Sequence, residues 1–409
     1  MNKQKLPVGW KEVELPEIVW FQEGPGVRKH QFTTKGIKLI NGRNIVNNKL
    51  TPNNTETHIS EEEATTKYKH FLIDEGDLII ASSGIKVDYF HKKIAFAKKE
   101  DLPLCMNTST IRFKVLDKKI LDINFFKYFL MTHNFSEQVQ FHITGSAQLN
   151  FGPSHLKQMK IILPPIEIQH NLVLLLDKIG KTKDWRKEAD DLTKDLLKSV
   201  FLEMFLIDDF PLTKLDKLTS KVSSGSTPLG GSNNYLDDGE ILFIRSQNVL
   251  MNKFSKHDKL YIPQKIHEQM KRTWVKKLDV LLNITGASIG RTAIYLGQSD
   301  KANVNQHVCI IRLKNHNELN PTYLNFYLSS DRIQGYIQKV NAGGTREALN
   351  YTQIKDFDIP LPPIELQNKF ASIVKEVEAM KEQQKHSKNQ INNLFNALMQ
   401  KAFKGELKC

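Results

Sequence analysis

Short polar loops that combine glycine with basic and amide side chains recur along the chain. They include NGRN at residues 41–44 and SSGIK at 82–86, and, in the second half, RSQN at 245–248 and TGASIGR at 285–291. Arg, Lys, Asn and Gln can form paired hydrogen bonds with base edges, whereas Ser, Thr and backbone N–H groups bind phosphates. A single such loop is more often an ordinary surface turn. The prediction of nucleic-acid binding therefore depends on their recurrence in two corresponding parts of the chain.

The candidate DNA-binding side chains come from both halves. In the first half they are Arg28, Lys29, Arg43, Asn44, Ser82, Ser83, Lys86, Lys92, Lys93 and Gln148. In the second half they are Ser226, Thr227, Arg245, Gln247, Asn248, Thr285, Ser288, Arg291, Asn305, Gln306, Thr345 and Arg346. The net charge of +13 favours a phosphate-binding role, because most of the excess lies in residues 1–162 and 207–360. Basicity can also serve solubility alone.

No spacing of residues indicates catalysis or metal binding. The sequence has no GxGxxG, GxxxxGK[ST] or HExxH motif, and neither of its Pro-Pro pairs belongs to a methyltransferase tetrapeptide. The acidic clusters at 61–63 and 74–77 are interpreted as a solvated face and a turn. Cys105, Cys309 and Cys409 lie far apart, with neither zinc-ligand nor disulfide spacing. We therefore predict no catalytic residue and no metal site.

The elements that must position the loops are themselves repeated. LPPIEIQ at 163–169 returns as LPPIELQ at 361–367. Before these phrases, HITGSAQLNF at 142–151 corresponds to NAGGTREALNY at 341–351, and other echoes follow in the same order. An internal duplication is therefore predicted. Its parts are globular segments at 1–162 and 207–360, each followed by a tail at 163–206 or 361–409.

Each globular segment has the pattern of an α+β domain. Runs such as DLIIAS, STIRFKV, EILFIRS and HVCIIRL predict strands between polar turns. The apolar spacing from Asn124 and from Tyr323 predicts short amphipathic helices. The strand order cannot be derived from these patterns.

The repeated phrase has the properties of a junction between a strand and a helix. Its first proline disfavours a helical conformation for the preceding leucine, and its second suits the first helical turn. Glu167 and Glu365 would then lie at the positive end of the helix dipole.

Long heptad patterns follow both junctions and predict an antiparallel coiled coil. The predicted pairing residues in the first tail are Leu172, Leu175, Ile179, Leu192 and Leu196, on a seam that includes Trp185. In the second tail they are Phe370, Ile373, Val377, Met380, Ile391, Leu394 and Leu398, with polar Gln384 in the middle. The alternative is two unrelated helices, each packed on its own domain.

Taken together, these features resemble a type I restriction-modification specificity subunit. The resemblance covers essentially the whole chain and is carried by SSGSTP, ILFIRSQNV, ITGASIG, GSAQLNF with LPPIEIQ, and GGTREALNY with IPLPPIELQ. In the first half, FQEGPGVRKHQF at 21–32 replaces the SGSTP-like loop.

The resemblance implies two target recognition domains, at 1–162 and 207–360, and two spacer helices, at 163–206 and 361–409. Each domain would read one half of a split double-stranded DNA site. The helices would bind two methyltransferase subunits, and restriction subunits would join them. Adenine N6 methylation with S-adenosylmethionine would occur on the methyltransferase, so the chain itself would need no cofactor. Divergence between the two sets of loops predicts an asymmetric, bipartite target.

Two other functions would fit parts of the sequence. A fused methyltransferase or endonuclease would need the cofactor motifs that the sequence lacks, and a coiled-coil scaffold would bind proteins without binding DNA. Because no apolar run is long enough for a membrane span or a secretory signal, a soluble, cytoplasmic protein is predicted.

Overall fold

The computed structural model describes residues 6–143, 150–205, 209–228, 230–341 and 348–407. The chain divides into two compact units. Residues 1–187 together with 386–409 form the first unit, and residues 188–385 form the second. Each unit therefore contains one globular segment and a part of both long helices, whereas the sequence-based division treats the helices as separate segments.

Short strands and helices build the globular part of the first unit. The strands are β1 (Lys11–Glu14), β2 (Val19–Glu23), β3 (Ile37–Ile40), β4 (Ile45–Val46), β5 (Lys49–Leu50), β6 (His58–Ile59), β7 (Leu78–Ala81), β8 (Ile94–Phe96), β9 (Leu104–Met106), β10 (Thr110–Val115) and β11 (Lys160–Leu163). The helices are α1 (Leu15–Ile18), α2 (Glu61–Thr65), α3 (Ile123–Leu130), α4 (His133–His142) and α5 (Pro153–Leu156), and the long α6 (Ile166–Phe205) follows.

The second unit has the same succession of elements. Its strands are β12 (Leu212–Lys214), β13 (Thr219–Ser224), β14 (Ile241–Ile244), β15 (Val249–Leu250), β16 (Lys253–Phe254), β17 (Leu260–Tyr261), β18 (Val280–Asn283), β19 (Thr292–Ile294), β20 (Lys301–Val304), β21 (Val308–Leu313) and β22 (Asp358–Pro360). Its helices are α7 (Leu215–Leu218), α8 (Gln264–Gln269), α9 (Pro321–Leu328), α10 (Asp331–Asn341) and α11 (Tyr351–Lys355), and the long α12 (Ile364–Lys404) follows.

Sheet topology confirms the predicted internal repeat. The first unit has a four-stranded sheet in the order β2-β10-β7-β8 and a three-stranded sheet in the order β6-β3-β9. The second unit has β13-β21-β18-β19 and β17-β14-β20. In the three-stranded sheets β3 is parallel to β9, and β14 is parallel to β20. Because counterpart strands pair in the same order and sense, the two globular parts are copies of one α+β fold.

The glutamine that ends each repeated phrase anchors the start of a long helix. Gln169 is buried; its Nε2 donates to the carbonyls of Ile120 and Pro164 (both 2.8 Å), and its Oε1 accepts from the Asp122 N–H (2.9 Å). Gln367 makes the same three types of hydrogen bond in the second unit. The glutamine thus joins the first helical turn to the loop that precedes α3 or α9.

Replacing Gln367 with leucine is expected to destabilise the second unit by about 2–3 kcal/mol, because buried backbone partners lose their hydrogen bonds. Those partners are the Asn320 N–H (2.8 Å) and the carbonyls of Glu318 (3.1 Å) and Pro362 (2.8 Å). Denaturant unfolding of the full chain measures the loss. Gln383→Leu, at an exposed position of the same helix, is the control. Equal effects of the two substitutions would contradict the anchoring role.

Asp77 and its counterpart Asp279 each form an ion pair with an arginine of the neighbouring strand, although the strand registers place Arg112 two residues before the position that corresponds to Arg312. In the first unit, Arg112 Nη1 of β10 donates to Asp77 Oδ2 (3.1 Å). In the second, Arg312 Nε and Nη2 of β21 donate to Asp279 Oδ1 and Oδ2 (both 2.7 Å). Each carboxylate lies just before the strand that neighbours the arginine's strand, so the pair links the sheet to the turn.

The two long helices pack against each other within each unit. In the second unit, the rings of Phe201 and Phe205 in α6 lie 5.3 and 5.5 Å from Phe370 in α12, and Gln384 Nε2 donates to Thr193 Oγ1 (3.1 Å). Residues later in α6 contact residues earlier in α12, so the two helices are antiparallel there. In the first unit, Leu172 and Leu176 of α6 share a core with Met399 and Phe403 of α12.

The predicted helix-pairing residues divide into two groups. Leu172, Ile179, Phe370 and Val377 are buried, and Ile373, Ile391 and Leu398 are half-buried. The prediction is wrong for the remaining residues, which are exposed: Leu175, Leu192, Leu196, Met380 and Leu394.

The buried face of α6 is shifted by one residue from the predicted seam. The predicted seam includes Trp185, which is 67% exposed. Instead, Lys183 turns inward and its Nζ lies 4.5 Å from the centre of the Phe395 ring. A lysine stem can cover apolar surface as an apolar residue does. The buried positions that each lie one residue after a predicted one are Leu176, Thr193 and Leu197.

In α12, the globular part of the first unit determines which face is buried. Phe403 packs on Phe125 of α3 with ring centroids 4.8 Å apart, and Ala402 is fully buried. The face that meets α3 does not include Leu394. Further along the seam, the polar Gln384 is buried while Met380 is exposed.

Candidate nucleic-acid interface

A tight turn held by a buried asparagine follows β3 and β14. Asn44 Oδ1 accepts from the Asn41 N–H (3.0 Å), and Asn248 Oδ1 accepts from the Arg245 N–H (3.0 Å). Both asparagine side chains are buried. Their assignment as DNA contacts is corrected accordingly, because these amides are occupied in shaping the turn that presents Asn41 or Arg245.

Different side chains brace this turn in the two units. Lys93 Nζ donates to the carbonyls of Gly42 (3.2 Å) and Ile45 (2.7 Å). In the second unit, Asn283 Nδ2 donates to the two equivalent carbonyls (2.9 and 3.2 Å). Burial lowers the pKa of Lys93. The backbone shape is thus kept, although the residues that support it differ.

A glycine that backbone atoms crowd directly follows β2 and β13. A Cβ on Gly24 would lie 2.2 Å from the Asn107 carbonyl oxygen, and one on Gly225 would lie 1.7 Å from the Val304 carbonyl oxygen. The loops that follow share little sequence, since one reads GPGVRKH and the other GSTP. Nevertheless, both begin at the same point of the fold. The first half lacks an SGSTP-like segment, but its loop still begins after the same strand as in the second half.

The turn and neighbouring loops of the first unit enclose an open cleft of about 670 Å³. It has two exposed aromatic walls, Phe32 and Tyr89, and Lys92 Nζ lies 5.3 Å from the centre of the Tyr89 ring. The predicted residues that line the cleft are Arg43, Ser83, Lys86 and Lys93. Those that the prediction missed are Phe32, Asn41, Thr57, Tyr89, Asn107 and Ser109. A concave surface with cations, amides and aromatic rings is suited to nucleic acid.

In the second unit, a chain of hydrogen bonds joins three loops. Thr227 Oγ1 donates to Gln306 Oε1 (2.7 Å), and Gln306 Nε2 donates to His307 Nε2 (3.0 Å). The His307 proton then lies on Nδ1, which faces Thr285 Oγ1 at 2.5 Å. Thr227, Thr285 and Gln306 were predicted site residues, so the structure brings these three together. The prediction missed His307, which connects them.

The other predicted residues differ in accessibility. Arg28, Lys29, Arg43, Ser83, Lys86, Lys92, Ser226, Gln247 and Arg291 are exposed, and Arg245 and Ser288 are half-buried. Ser82 and Asn305 are buried in the loops that they support, which corrects their assignment as direct contacts. Gln148, Thr345 and Arg346 lie outside the described residues.

The half-buried guanidinium of Arg245 has few hydrogen-bond partners within the described part of the protein. Its Nη2 donates to the Asp258 carbonyl (2.7 Å), and its Nε is buried with no hydrogen-bond partner in the described structure. Within the same residues it forms no ion pair with a carboxylate. The Asp258 carbonyl therefore provides the one side-chain hydrogen bond that holds this guanidinium among the described residues.

Among residues whose placement is described, no three His, Cys, Asp or Glu side chains cluster in a way that could hold a metal ion. The helices within those same ranges include none that is long and apolar enough to cross a bilayer.

The chain is similar in sequence to specificity subunits of known type I restriction enzymes. The family model described as "Type I restriction modification DNA specificity domain" matches residues 7–191 and 214–393. The EcoBI specificity subunit of Escherichia coli is 31% identical over 151 residues, which are 36% of this chain and 31% of that protein. The MjaVIII specificity subunit of Methanocaldococcus jannaschii is 26% identical over 195 residues, 46% of this chain and 44% of that one. The chain thus matches less than half the length of these two relatives. The StySPI specificity subunit of Salmonella potsdam is 21% identical over 441 aligned residues, 100% of this chain and 91% of that one.

Solved structures share the fold. A chain from a study of type I R-M system assembly and conformational transition has a TM-score of 0.64 at 19% identity, covering 99% of this chain and 100% of that one. The S subunit from M. genitalium has a TM-score of 0.54 at 14% identity, covering 98% of both chains. The HsdS subunit of Thermoanaerobacter tengcongensis has a TM-score of 0.52 at 19% identity, covering 99% of both.

Proposed function

Because the chain belongs to the type I restriction-modification DNA specificity family, we propose that it is the DNA-reading subunit of a restriction-modification complex and is not itself catalytic. It binds double-stranded DNA in the cytoplasm, and each globular part reads one half of a split target. The two halves differ in sequence and are separated by a spacer.

The observation that supports this proposal best is that one backbone scaffold carries two different sets of side chains. The turn after β3 presents Asn41, and the equivalent turn after β14 presents Arg245, on the same asparagine-held backbone. Identical scaffolds with different polar groups would bind DNA alike and prefer different bases. An asymmetric target follows from this difference.

The partners proposed are two methyltransferase subunits, with restriction subunits completing the complex. S-adenosylmethionine would bind to the methyltransferase, which would transfer the methyl group to adenine N6. Exposed apolar side chains on α6 support a docking role, since Leu192 is 72% exposed and Trp185 is also largely exposed. Large exposed apolar side chains are common where a partner binds.

DNA binding by the full chain is expected to weaken steeply with salt. Titration of a labelled duplex between roughly 50 and 200 mM salt should give a linear fall of log K with log salt, because bound cations release counterions from phosphates. The double variant Arg43→Ala, Lys86→Ala should reduce the slope by about two, since each phosphate contact contributes about one.

Lys118→Ala, Lys119→Ala is the matched control, because it removes the same charge from exposed positions of the same unit, away from the cleft. No binding at low salt would favour a protein-only scaffold. Methylation or cleavage by the purified chain alone would favour a fused enzyme.

A further inference from the structure

We infer that Asn41 reads one base of the first half-site and selects a keto base, guanine or thymine, over an amino base. This inference rests on the proposed DNA-reading function and adds a residue and a chemical preference to it. Asn41 is half-buried and lines the cleft of the first unit.

The hydrogen bonds around Asn41 determine which side of its amide faces the cleft. Asn107 Oδ1 accepts from the Thr108 N–H (2.8 Å), so the other Asn107 atom is the nitrogen, which donates to Asn41 Oδ1 (3.1 Å). Ser109 Oγ accepts from the Gly42 N–H (3.0 Å) and lies 3.4 Å from the same Asn41 oxygen, to which it can donate. The Asn107 chain thus assigns Asn41 Oδ1 as an acceptor, and the Ser109 hydroxyl is compatible with that assignment.

Asn41 Nδ2 therefore carries two N–H donors, and within the described residues these have no partner. An asparagine that reads adenine needs both its oxygen and its nitrogen. Here the oxygen already accepts from Asn107 and faces the Ser109 hydroxyl, so the side chain can only donate. The group offered to the groove is a donor pair.

The second unit supports this position as a reading position. The backbone of Arg245 is held as that of Asn41 is, and the following loop is anchored alike, since the N–H groups of Asn107 and Asn305 donate to the last residues of β3 and β14 (3.0 and 2.9 Å). Arg245 also offers only donors. Two equivalent positions with donor groups of different shape fit a target with different half-sites.

The donor and acceptor groups on the base edges determine which bases Asn41 prefers. In the major groove, guanine offers the acceptors O6 and N7 and thymine the acceptor O4, whereas cytosine offers only the N4 donor and adenine offers the N6 donor beside the N7 acceptor. A donor-only amide meets acceptors alone on guanine and thymine, whereas on adenine and cytosine it meets a donor. Cytosine is rejected most strongly, because its groove edge offers no acceptor.

Asn41→Asp inverts the group and tests the inference. An aspartate keeps an oxygen for Asn107 and Ser109 and turns a second oxygen toward the cleft, so the donor becomes an acceptor. The full chain is expressed with its methyltransferase, and N6-methyladenine is mapped across the genome. The expected result is an exchange between a keto and an amino base at one position of one half-site, with a preference changed by roughly tenfold or more. The other half-site should stay the same.

Asn47→Asp is the matched control, because it makes the same charge change at an exposed position in the same unit and should leave the motif unchanged. An unchanged motif for Asn41→Asp would overturn the inference. If that variant yields no methylation, Asn41→Ala decides: loss of preference at one position supports the inference, and an unchanged motif overturns it. A wild-type chain that directs no split motif would instead refute the proposed function.

Discussion

Replacing Asp77 with alanine is expected to destabilise the first unit by about 3–5 kcal/mol, because the change leaves a buried arginine without its counter-ion. The side chains of Arg112 and Asp77 are only 7% and 3% exposed. Arg112 also donates to the carbonyls of Leu72 (2.6 Å) and His70 (2.5 Å) and to Gln22 Oε1 (2.9 Å). These bonds keep the guanidinium in place, so it cannot turn to solvent without losing them.

Hydrogen exchange of the full chain in denaturant would measure this loss unit by unit. Exchange in β7 and β10 should move to lower denaturant, whereas exchange in β18 and β21 should not. Asp279→Ala should give the opposite pattern, since Asp279 is the counterpart in the second unit. Glu100→Ala removes only an exposed pair with Lys98 and should leave both units unchanged. Equal loss of protection in both units would show that the ion pair is not a local support.

Replacing Arg245 with alanine is expected to relax the base preference at one position of one half-site, while the other half-site is read as before. The guanidinium is held by the Asp258 carbonyl, and its buried Nε has no partner in the described part of the chain. An arginine that makes paired hydrogen bonds to a base contributes about 1–3 kcal/mol of discrimination. Its loss should therefore lower the preference at that position by roughly tenfold or more.

Arg272→Ala serves as the control for Arg245, because it removes one positive charge from an exposed turn of the same unit. Mapping of methylated sites should give the wild-type motif for this control. Loss of both half-sites with Arg245→Ala, in a complex that still assembles, would contradict two independent readers.

The repeated phrases allowed the architecture to be predicted, whereas side-chain register needed the structure. The duplication, the strand-to-helix junctions and the short helices from Asn124 and Tyr323 all follow from local patterns. The role of Gln169 and Gln367 could not be predicted, because two of the three partners of each are backbone groups 47 and 49 residues away along the chain. Tertiary contacts also decide that Lys183 faces inward and Trp185 outward.

The candidate site shows why loop composition alone is a poor guide to contacts. Asn44 and Asn248 have the right side chain for reading bases, yet both are buried in turns. The two halves carry the same residue at this position, as expected of a shared scaffold. Asn41 and Arg245 differ between the halves and lie where a ligand can reach them. A position-by-position alignment of the two repeats would therefore distinguish residues that shape the turn, which are the same in both halves, from residues that can contact a ligand, which differ.

Mapping N6-methyladenine in a genome that expresses the chain with its methyltransferase tests most directly whether one chain carries two different readers. The predicted result is a single motif with two short, different specified parts separated by an unspecified spacer of fixed length, of which Arg245→Ala changes one part only. A contiguous motif, a palindromic motif or the absence of any new motif would contradict the presence of two different readers.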